Sequence, residues 1–142
     1  MKREYPDAPV VGVGAVILDG NRVLLIRRGQ EPLKGQWSLP GGALELGETL
    51  EAGIRREVRE ETGLEVEAVR IVEVLDRIAR SEDGRVQYHY VLVDYLCRIT
   101  GGSLACASDA VDAKWATFDE LDGVAAFTVE VIRKVLSIAE PE

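Results

Sequence analysis

Apolar, largely β-branched segments recur along the chain and are separated by turn-forming residues. Val, Ile and Tyr favour extended backbone, whereas Gly, Asp and Asn favour turns. The pattern predicts a hairpin of two strands at 10–18 and 22–27 and a short extended piece at 37–39. Further strands are expected at 66–78, as one strand or two, and at 86–99 and 111–117.

Two segments have the features of helices. Thr49 can cap a helix over 50–62, and Gly63 can end it in the left-handed conformation that glycine tolerates. Thr128 is expected to cap a second, amphipathic helix to about residue 138, with apolar residues at helical spacing: Val131, Ile132, Val135 and Leu136. These elements indicate an α+β fold in which a mixed β-sheet packs with a central and a C-terminal helix.

Composition places the chain among ordinary globular domains. Of its 142 residues 46% are hydrophobic and 30% charged, so residues 1–142 fit a single domain with its own core. The 25 acidic and 17 basic residues give a net charge of −8, which argues against nucleic acid and against anionic membranes as partners. With two cysteines and no signal-peptide pattern at the start, the expected location is the cytoplasm.

Three glutamates on the first predicted helix have an unusual spacing. Glu57, Glu60 and Glu61 stand at i, i+3 and i+4, so at about 100° per residue they span only about 100° of the helix circumference. Like charges on one stripe repel, and the nearby arginines are expected to point largely to other sides: Arg55, Arg56 and Arg59. A divalent cation would supply the missing positive charge; the alternative is an ordinary solvated helix face.

The residues around this stripe favour the metal hypothesis. Gly53 lies on the same stripe one turn earlier, where a solvated helix would lose up to about 1 kcal/mol relative to alanine. A glycine there lets another group approach the backbone closely. Ile54 and Val58 flank the stripe and are expected to be buried, and carboxylates at the edge of a core need partners.

A glycine-rich loop at 39–48 precedes this helix. It lacks the Lys-Ser/Thr pair of a Walker A loop, and its glycines do not match the GxGxxG pattern of dinucleotide-binding folds. Glycines in such a loop let backbone amides and carbonyls face a metal ion or a phosphate.

Loop and helix together form one continuous motif. It reads Gly42-x5-Glu48-x7-Arg56-Glu57-Val58-x-Glu60-Glu61-x-Gly63-Leu64 and resembles a complete Nudix box over 42–64. The flanking segments are also similar to that family, from about residue 10 to residue 138. The resemblance implies an α/β/α sandwich that hydrolyses a nucleoside diphosphate linked to another moiety, with the help of a divalent cation.

The same resemblance implies roles for individual residues. The expected ion is Mg²⁺, with Mn²⁺ as an alternative, and its expected ligands are the carbonyl of Gly41 and the side chains of Glu57, Glu60 and Glu61. Arg56 would orient a glutamate of the motif through a charge-assisted hydrogen bond. Gly42 and Glu48 are expected on the substrate side of the site, with Glu48 supporting the helix or an outer water.

A general base could come from the motif or from a loop near the last strand. Asp109 is our choice, and Asp112 and Glu82 are the alternatives. Arg27 and Arg28 end the second predicted strand and are candidates for contacts to substrate phosphates or to a base. They could equally be ordinary surface cations on an edge strand.

Segments outside the motif suggest the substrate. The segment 86–95 and Trp115 resemble the branch of ADP-ribose pyrophosphatases, which would give AMP and ribose 5-phosphate. The alternative is a MutT-type enzyme for an oxidised nucleoside triphosphate, although 126–128 reads Ala-Phe-Thr where that type carries a base-reading Asn. A nucleotide sensor without activity is disfavoured, because binding alone would not need every carboxylate. The expected partner is a small nucleotide diphosphate, a homodimer is an open alternative, and Trp37 is expected in the core.

Overall fold

The structure is a computed structural model and describes residues 2–105 and 110–139. Over those residues the elements are, in order, β1 (Val10–Asp19), β2 (Arg22–Arg28), β3 (Trp37–Ser38), β4 (Gly41–Ala43), α1 (Leu50–Thr62), β5 (Leu64–Arg80), β6 (Val86–Gly102), β7 (Ala110–Thr117), a 3-10 turn (Phe118–Glu120) and α2 (Ala126–Ala139). None of the helices in these ranges is long and apolar enough to cross a membrane.

Strand β1 joins two groups of strands into one mixed sheet. Residues 10–17 of β1 pair in parallel with residues 90–97 of β6, and β6 pairs antiparallel with β5. The short β4 pairs antiparallel with β1. At its far end β1 turns into β2 through the predicted hairpin, and β2 pairs with both β3 and β7. β4 therefore lies beside β1, close to where the parallel ladder begins.

The two helices cover opposite faces of this sheet, because alternate residues of a strand point to opposite sides. Val13 and Ile17 of β1 pack with Ile54 and Val58 of α1. Val16 of β1 faces the other side, where it packs in a core that includes four residues of α2: Val131, Ile132, Val135 and Leu136. The expected α/β/α sandwich with a mixed sheet is confirmed.

Two glycines of β1 interrupt the apolar pattern on the α2 side. Val16 is fully buried there, but Gly12 and Gly14 on the same side carry no side chain. A Cβ at Gly12 would lie 2.9 Å from Leu92 Cδ2, and a Cβ at Gly14 would overlap Asp94 Oδ1. The glycines thus leave space at one end of the sheet that neighbouring side chains of β6 partly use.

Helix α1 begins and ends where the sequence predicts. The Thr49 hydroxyl accepts a hydrogen bond from the Ala52 N–H at 3.1 Å. Gly63 has φ of 76° and its N–H donates to the Arg59 carbonyl at 2.9 Å. Both contacts satisfy backbone groups that a helix end leaves without partners.

The start of α2 differs from the prediction. The helix begins at Ala126, and the carbonyl of Ala125 accepts the N–H groups of Thr128 and Val129. Thr128 therefore lies inside the first turn, with its side chain buried, and the expectation that it caps the helix is wrong. The N-cap residue of a helix is the one whose carbonyl accepts the first intrahelical hydrogen bond, and here that residue is Ala125.

The structure contains more strand than the sequence predicts. β5 runs without a break from Leu64 to Arg80. Its pairing with β6 contains several register shifts, which accommodate the irregular spacing of its apolar residues. β4 was not expected, since its sequence Gly-Gly-Ala has little intrinsic strand preference. Its pairing with β1 makes it a strand, which is a tertiary effect that local sequence does not contain.

Candidate active site

Arg56 organises the acidic side chains of α1. Its Nε and Nη2 donate to the two oxygens of Glu48 at 2.7 and 2.9 Å. Its Nη1 donates to Glu57 at 2.9 Å and to Glu60 at 3.3 Å, and Nη2 also donates to the Ala43 carbonyl at 3.1 Å. These bonds occupy the five donors of the guanidinium group and tie the glycine-rich loop to the helix. The expectation that Arg56 points away from the glutamates is wrong, because the loop folds back over the helix and both partners lie around it.

Gly53 explains how the loop comes so close. A Cβ at Gly53 would lie 2.6 Å from Leu44 Cδ1 and 3.0 Å from Glu48 Oε1. The glycine predicts that another group approaches the helix backbone closely here, and that group is the protein's own glycine-rich loop.

Burial and hydrogen bonding act in opposite directions on these carboxylates. The hydrogen bond from Arg56 lowers the pKa of Glu48, and the same pair raises the pKa of Arg56. Burial raises the pKa of Glu57, against the hydrogen bond and the charge of Arg56. Glu57 is thus a partly desolvated carboxylate whose ionised form a further cation would stabilise.

Two of the three glutamates predicted as metal ligands meet in a small cleft that we call the polar cleft, defined by Arg3, Arg28, Gly41, Gly42, Glu57 and Glu61. Glu61 is 4% exposed, and its Oε1 accepts the Gly41 N–H at 2.7 Å. Glu57 lies against Gly42, where a Cβ would come within 2.7 Å of all three carboxylate atoms. The glycine pair of β4 therefore allows both carboxylates to reach the strand edge.

The third glutamate does not join them. Glu60 is about half exposed and pairs with Arg56, and no three Asp, Glu, His or Cys side chains within 2–105 and 110–139 are grouped closely enough to hold a metal ion. The pair that does meet still fits Mg²⁺, a hard ion that binds through one or two carboxylates and keeps several waters. Glu60 and the Gly41 carbonyl stay predictions as ligands.

A second depression, which we call the apolar cleft, lies on the α2 side of the sheet. Its walls are mainly hydrophobic, and the residues that matter below are Gly12, Gly14, Trp37, Leu39, Tyr90, Leu92, Asp94, Phe127 and Thr128. It shares Arg3, Arg28, Gly41 and Gly42 with the polar cleft. Trp37, expected in the core, packs against the α2-side core and also lines this cleft. The two clefts are thus continuous across β4.

The two candidate arginines are separated by the alternation of β2. Arg28 lines both clefts, and its Nε donates to the Pro32 carbonyl at 2.7 Å. Arg27 is exposed and lines neither cleft, because adjacent residues of a strand face opposite sides. Of these two arginines, Arg28 is therefore the one that is placed to contact a substrate in either cleft.

The candidates for a general base are not brought to the clefts. Asp109 lies outside the described residues. Asp112 is exposed and accepts the N–H of Ala113 at 2.8 Å, while Glu82 is exposed in the turn between β5 and β6. Neither Asp112 nor Glu82 lines the polar or the apolar cleft, so these alternatives lose support.

Two charged residues that line the clefts are not among the candidates that the sequence patterns indicate. Arg3 precedes all regular structure, and no local pattern marks it. Asp94 is 8% exposed, and burial raises its pKa to about 6. A signal for Asp94 did exist, since it is the only charged residue in the apolar run Val91-Leu92-Val93-Asp94-Tyr95-Leu96, where a charge needs a reason.

Comparison with known proteins agrees with this architecture. A family model described as the NUDIX domain matches residues 8–136. An ADP-ribose pyrophosphatase of Methanocaldococcus jannaschii is 34% identical over 125 residues, covering 88% of this chain and 72% of that protein. Several other relatives are longer, and the chain spans between 26% and 63% of their length.

Solved structures give the same result. A MutT NUDIX hydrolase from Burkholderia pseudomallei superposes with a TM-score of 0.77 at 30% identity, covering 91% of this chain and 99% of that one. An ADP-ribose pyrophosphatase from Streptococcus suis superposes with a TM-score of 0.74 at 26% identity, covering 95% of each chain. A matched domain over most of the sequence, a glutamate-bearing helix tied to its glycine loop and a shared fold lead to one conclusion: the chain belongs to the Nudix hydrolase family.

Proposed function

We propose that this Nudix hydrolase cleaves ADP-ribose to AMP and ribose 5-phosphate with Mg²⁺ or Mn²⁺ as cofactor. The observation that carries the proposal is the continuity of the two clefts at Gly41 and Gly42. One side offers oxygen ligands and the other offers a mainly apolar surface, as a substrate with a charged diphosphate and a flat base requires. The relative from M. jannaschii that carries the ADP-ribose pyrophosphatase name supports this choice of substrate.

Glu57 and Glu61 would hold the cation, with Glu60 and the Gly41 carbonyl as further ligands. Bound there, the ion would neutralise charge on the diphosphate and acidify an attacking water. The motif carboxylates need fixed positions for this purpose, and Arg56 supplies them by holding Glu48 and Glu57 at once.

The remaining residues would bind and orient the substrate. Arg3 and Arg28 line both clefts and would place their positive charges beside the phosphates. The base would lie in the apolar cleft. In the reaction, a water oxygen forms a bond to one phosphorus, the bridging oxygen leaves with the other phosphate, and the water proton goes to a base, for which Asp109 stays our choice.

A MutT-type activity on a nucleoside triphosphate is the second candidate. The structure from B. pseudomallei that carries the MutT name favours it at 30% identity. Phe127 and Thr128 line the apolar cleft, so the segment in which that type is expected to read its base contributes to the cleft proposed here for the base. Its residues differ from the expected Asn, which keeps this candidate second.

A product assay separates the two candidates. The purified protein is incubated with Mg²⁺ and, in turn, ADP-ribose, NADH, diadenosine polyphosphates, nucleotide sugars and 8-oxo-dGTP, and products are resolved by chromatography and mass spectrometry. Our proposal expects AMP and ribose 5-phosphate from ADP-ribose at the highest kcat/KM, and no turnover with excess EDTA. Preferred release of pyrophosphate from 8-oxo-dGTP would show the MutT-type alternative, and turnover that persists in EDTA would contradict metal dependence.

A further inference from the structure

Asp94 is a buried acid that the proposed reaction does not use. It lies on β6 beside Gly14 of β1, is 8% exposed and lines the apolar cleft. No hydrogen bond or ion pair joins its carboxylate to any other residue within 2–105 and 110–139. In that part of the chain, every fully buried side-chain oxygen has a hydrogen-bond partner. Because the Asp94 oxygens have none, they are not fully buried and keep contact with the solvent in the cleft.

Such a group is costly and calls for a reason. A carboxylate taken out of bulk water destabilises the fold unless hydrogen bonds replace its hydration. The charge that acts on Asp94 besides burial is that of Glu73, which is also negative and adds to the cost. A buried acid that lines a cleft in this way is a candidate for a functional site.

The surroundings of Asp94 suit a flat ring. Gly12 and Gly14 remove two side chains from the floor of the cleft, and Tyr90 and Leu92 precede Asp94 on the same side of β6. Trp37 from β3 lines the same cleft. An aromatic ligand would therefore meet apolar surface on its faces and a single acidic group in the wall.

We propose that Asp94 selects the base by accepting a hydrogen bond from an exocyclic amino group on the ring of the bound nucleotide. The proposal rests on the proposed function in placing a nucleoside in this cleft. A carboxylate only accepts hydrogen bonds, so it attracts the amino group of adenine or guanine and gains less from a ring that lacks this donor. It deepens the proposed function by predicting which bases are accepted.

The test measures binding of nucleoside monophosphates without metal, by calorimetry or by the intrinsic tryptophan fluorescence of the protein. At pH 8, where Asp94 is ionised, AMP is compared with purine riboside 5′-monophosphate, which lacks only the amino group, and GMP with IMP. We expect the amino-bearing member of at least one pair to bind about tenfold tighter. The pair that shows the preference identifies adenine or guanine as the base.

Substitutions assign the preference to Asp94. Asp94→Asn keeps the shape and a neutral acceptor, so we expect the preference to fall to a few-fold, and Asp94→Leu removes the acceptor and should abolish it. The matched control is Asp76→Asn, an exposed aspartate on the neighbouring strand β5, which should leave the preference unchanged. A wild type that binds both members of each pair equally, or binds none at millimolar concentration, overturns the proposal, as does a preference that survives Asp94→Leu.

The outcomes also separate this proposal from the proposed function. Discrimination between amino-bearing and amino-free nucleotides without hydrolysis of any diphosphate would support the role of Asp94 and contradict the enzymatic proposal. Hydrolysis of ADP-ribose with equal kcat/KM for its purine-riboside counterpart would do the reverse.

Discussion

The polar and the apolar cleft meet at Gly41 and Gly42, yet they hold their carboxylates in opposite settings. In the polar cleft, Glu57 accepts from Arg56 and Glu61 accepts from the Gly41 amide. In the apolar cleft, Asp94 has no partner of this kind among the residues that the structure describes. A carboxylate that the chain itself orients can hold a reacting group in fixed geometry, whereas one without an internal partner favours a ligand that brings a donor.

This difference predicts two kinds of variant. Substitutions in or beside the polar cleft should change turnover and leave base preference alone, and substitutions at Asp94 should change base preference. The four experiments below probe the two clefts separately, beginning with the largest effect.

Glu61→Gln should reduce kcat by about 100-fold or more, because a neutral amide binds a divalent cation poorly and the stabilisation of phosphoryl charge is lost. The side chain keeps its shape, so the thermal unfolding midpoint should stay near that of the wild type. Steady-state kinetics with ADP-ribose measures the first quantity and circular dichroism the second. Glu51→Gln, an exposed glutamate in the first turn of the same helix, is the control. A Glu61→Gln enzyme with near wild-type turnover would refute the metal site.

Arg56→Lys should impair both stability and turnover. Lysine keeps the charge but cannot make the paired contacts to Glu48 together with those to Glu57, so we expect the free energy of unfolding to drop by about 1–3 kcal/mol and kcat at least about tenfold. Urea denaturation and kinetics measure the two. Arg59→Lys on the same helix, exposed and paired with Glu65 at 3.5 Å, should change neither by much. Equal losses in both variants would mean that the contacts of Arg56 do not matter.

Gly42→Ala should lower kcat/KM by about tenfold, because the new methyl group would displace the carboxylate of Glu57. Base preference in the monophosphate assay should be retained. Gly101→Ala is the matched control, since a Cβ there would meet only Glu65 Cβ at 3.8 Å. An unchanged kcat/KM in Gly42→Ala would show that Glu57 does not need its present position.

Asp94→Asn should alter how stability depends on pH. The pKa of Asp94 rises from its ordinary value of 3.8 to about 6 through burial and the charge of Glu73, with Arg3 and Arg28 lining the same cleft. The folded protein therefore holds this proton more tightly, and stability contributed by Asp94 is full below about pH 4 and lost as pH rises to about 6. Relative to the wild type, Asp94→Asn should gain about 1–2 kcal/mol between pH 4 and pH 7. Urea denaturation at several pH values measures this, and parallel curves for the two proteins would contradict it.

The polar cleft could be foreseen from sequence more fully than the apolar one for a physical reason. Its motif is contiguous over 42–64, and the spacing of Glu57 and Glu61 on a helix places both on one side before any tertiary contact forms. The orientation of Arg56 does not follow from that spacing, because the loop at 43–48 folds back over the helix and Ala43 and Glu48 accept hydrogen bonds from the guanidinium group. Local spacing predicts which residues share a face, but not which of them a neighbouring loop will engage.

The apolar cleft is assembled from segments far apart in the chain. Gly14, Trp37, Asp94 and Phe127 belong to β1, β3, β6 and α2, and no spacing rule connects them. Asp94 could have been noticed as a charge in an apolar strand, but its side of the sheet depends on the register with β1. Arg28 and Arg27 show the same dependence, because strand alternation decided which of two adjacent arginines reaches the site.

The parallel pairing of β1 and β6 also sets an order of assembly. Each pair in this ladder joins residues eighty positions apart, from Val10 and Tyr90 to Ile17 and Cys97. Closing a loop of that length costs entropy on the order of 4 kcal/mol, whereas α1 forms from contacts within its own turns. On the ribosome the Nudix motif is therefore complete long before the floor of the apolar cleft can exist. A chain cut before β6 would carry every motif glutamate and lack the wall that holds Asp94.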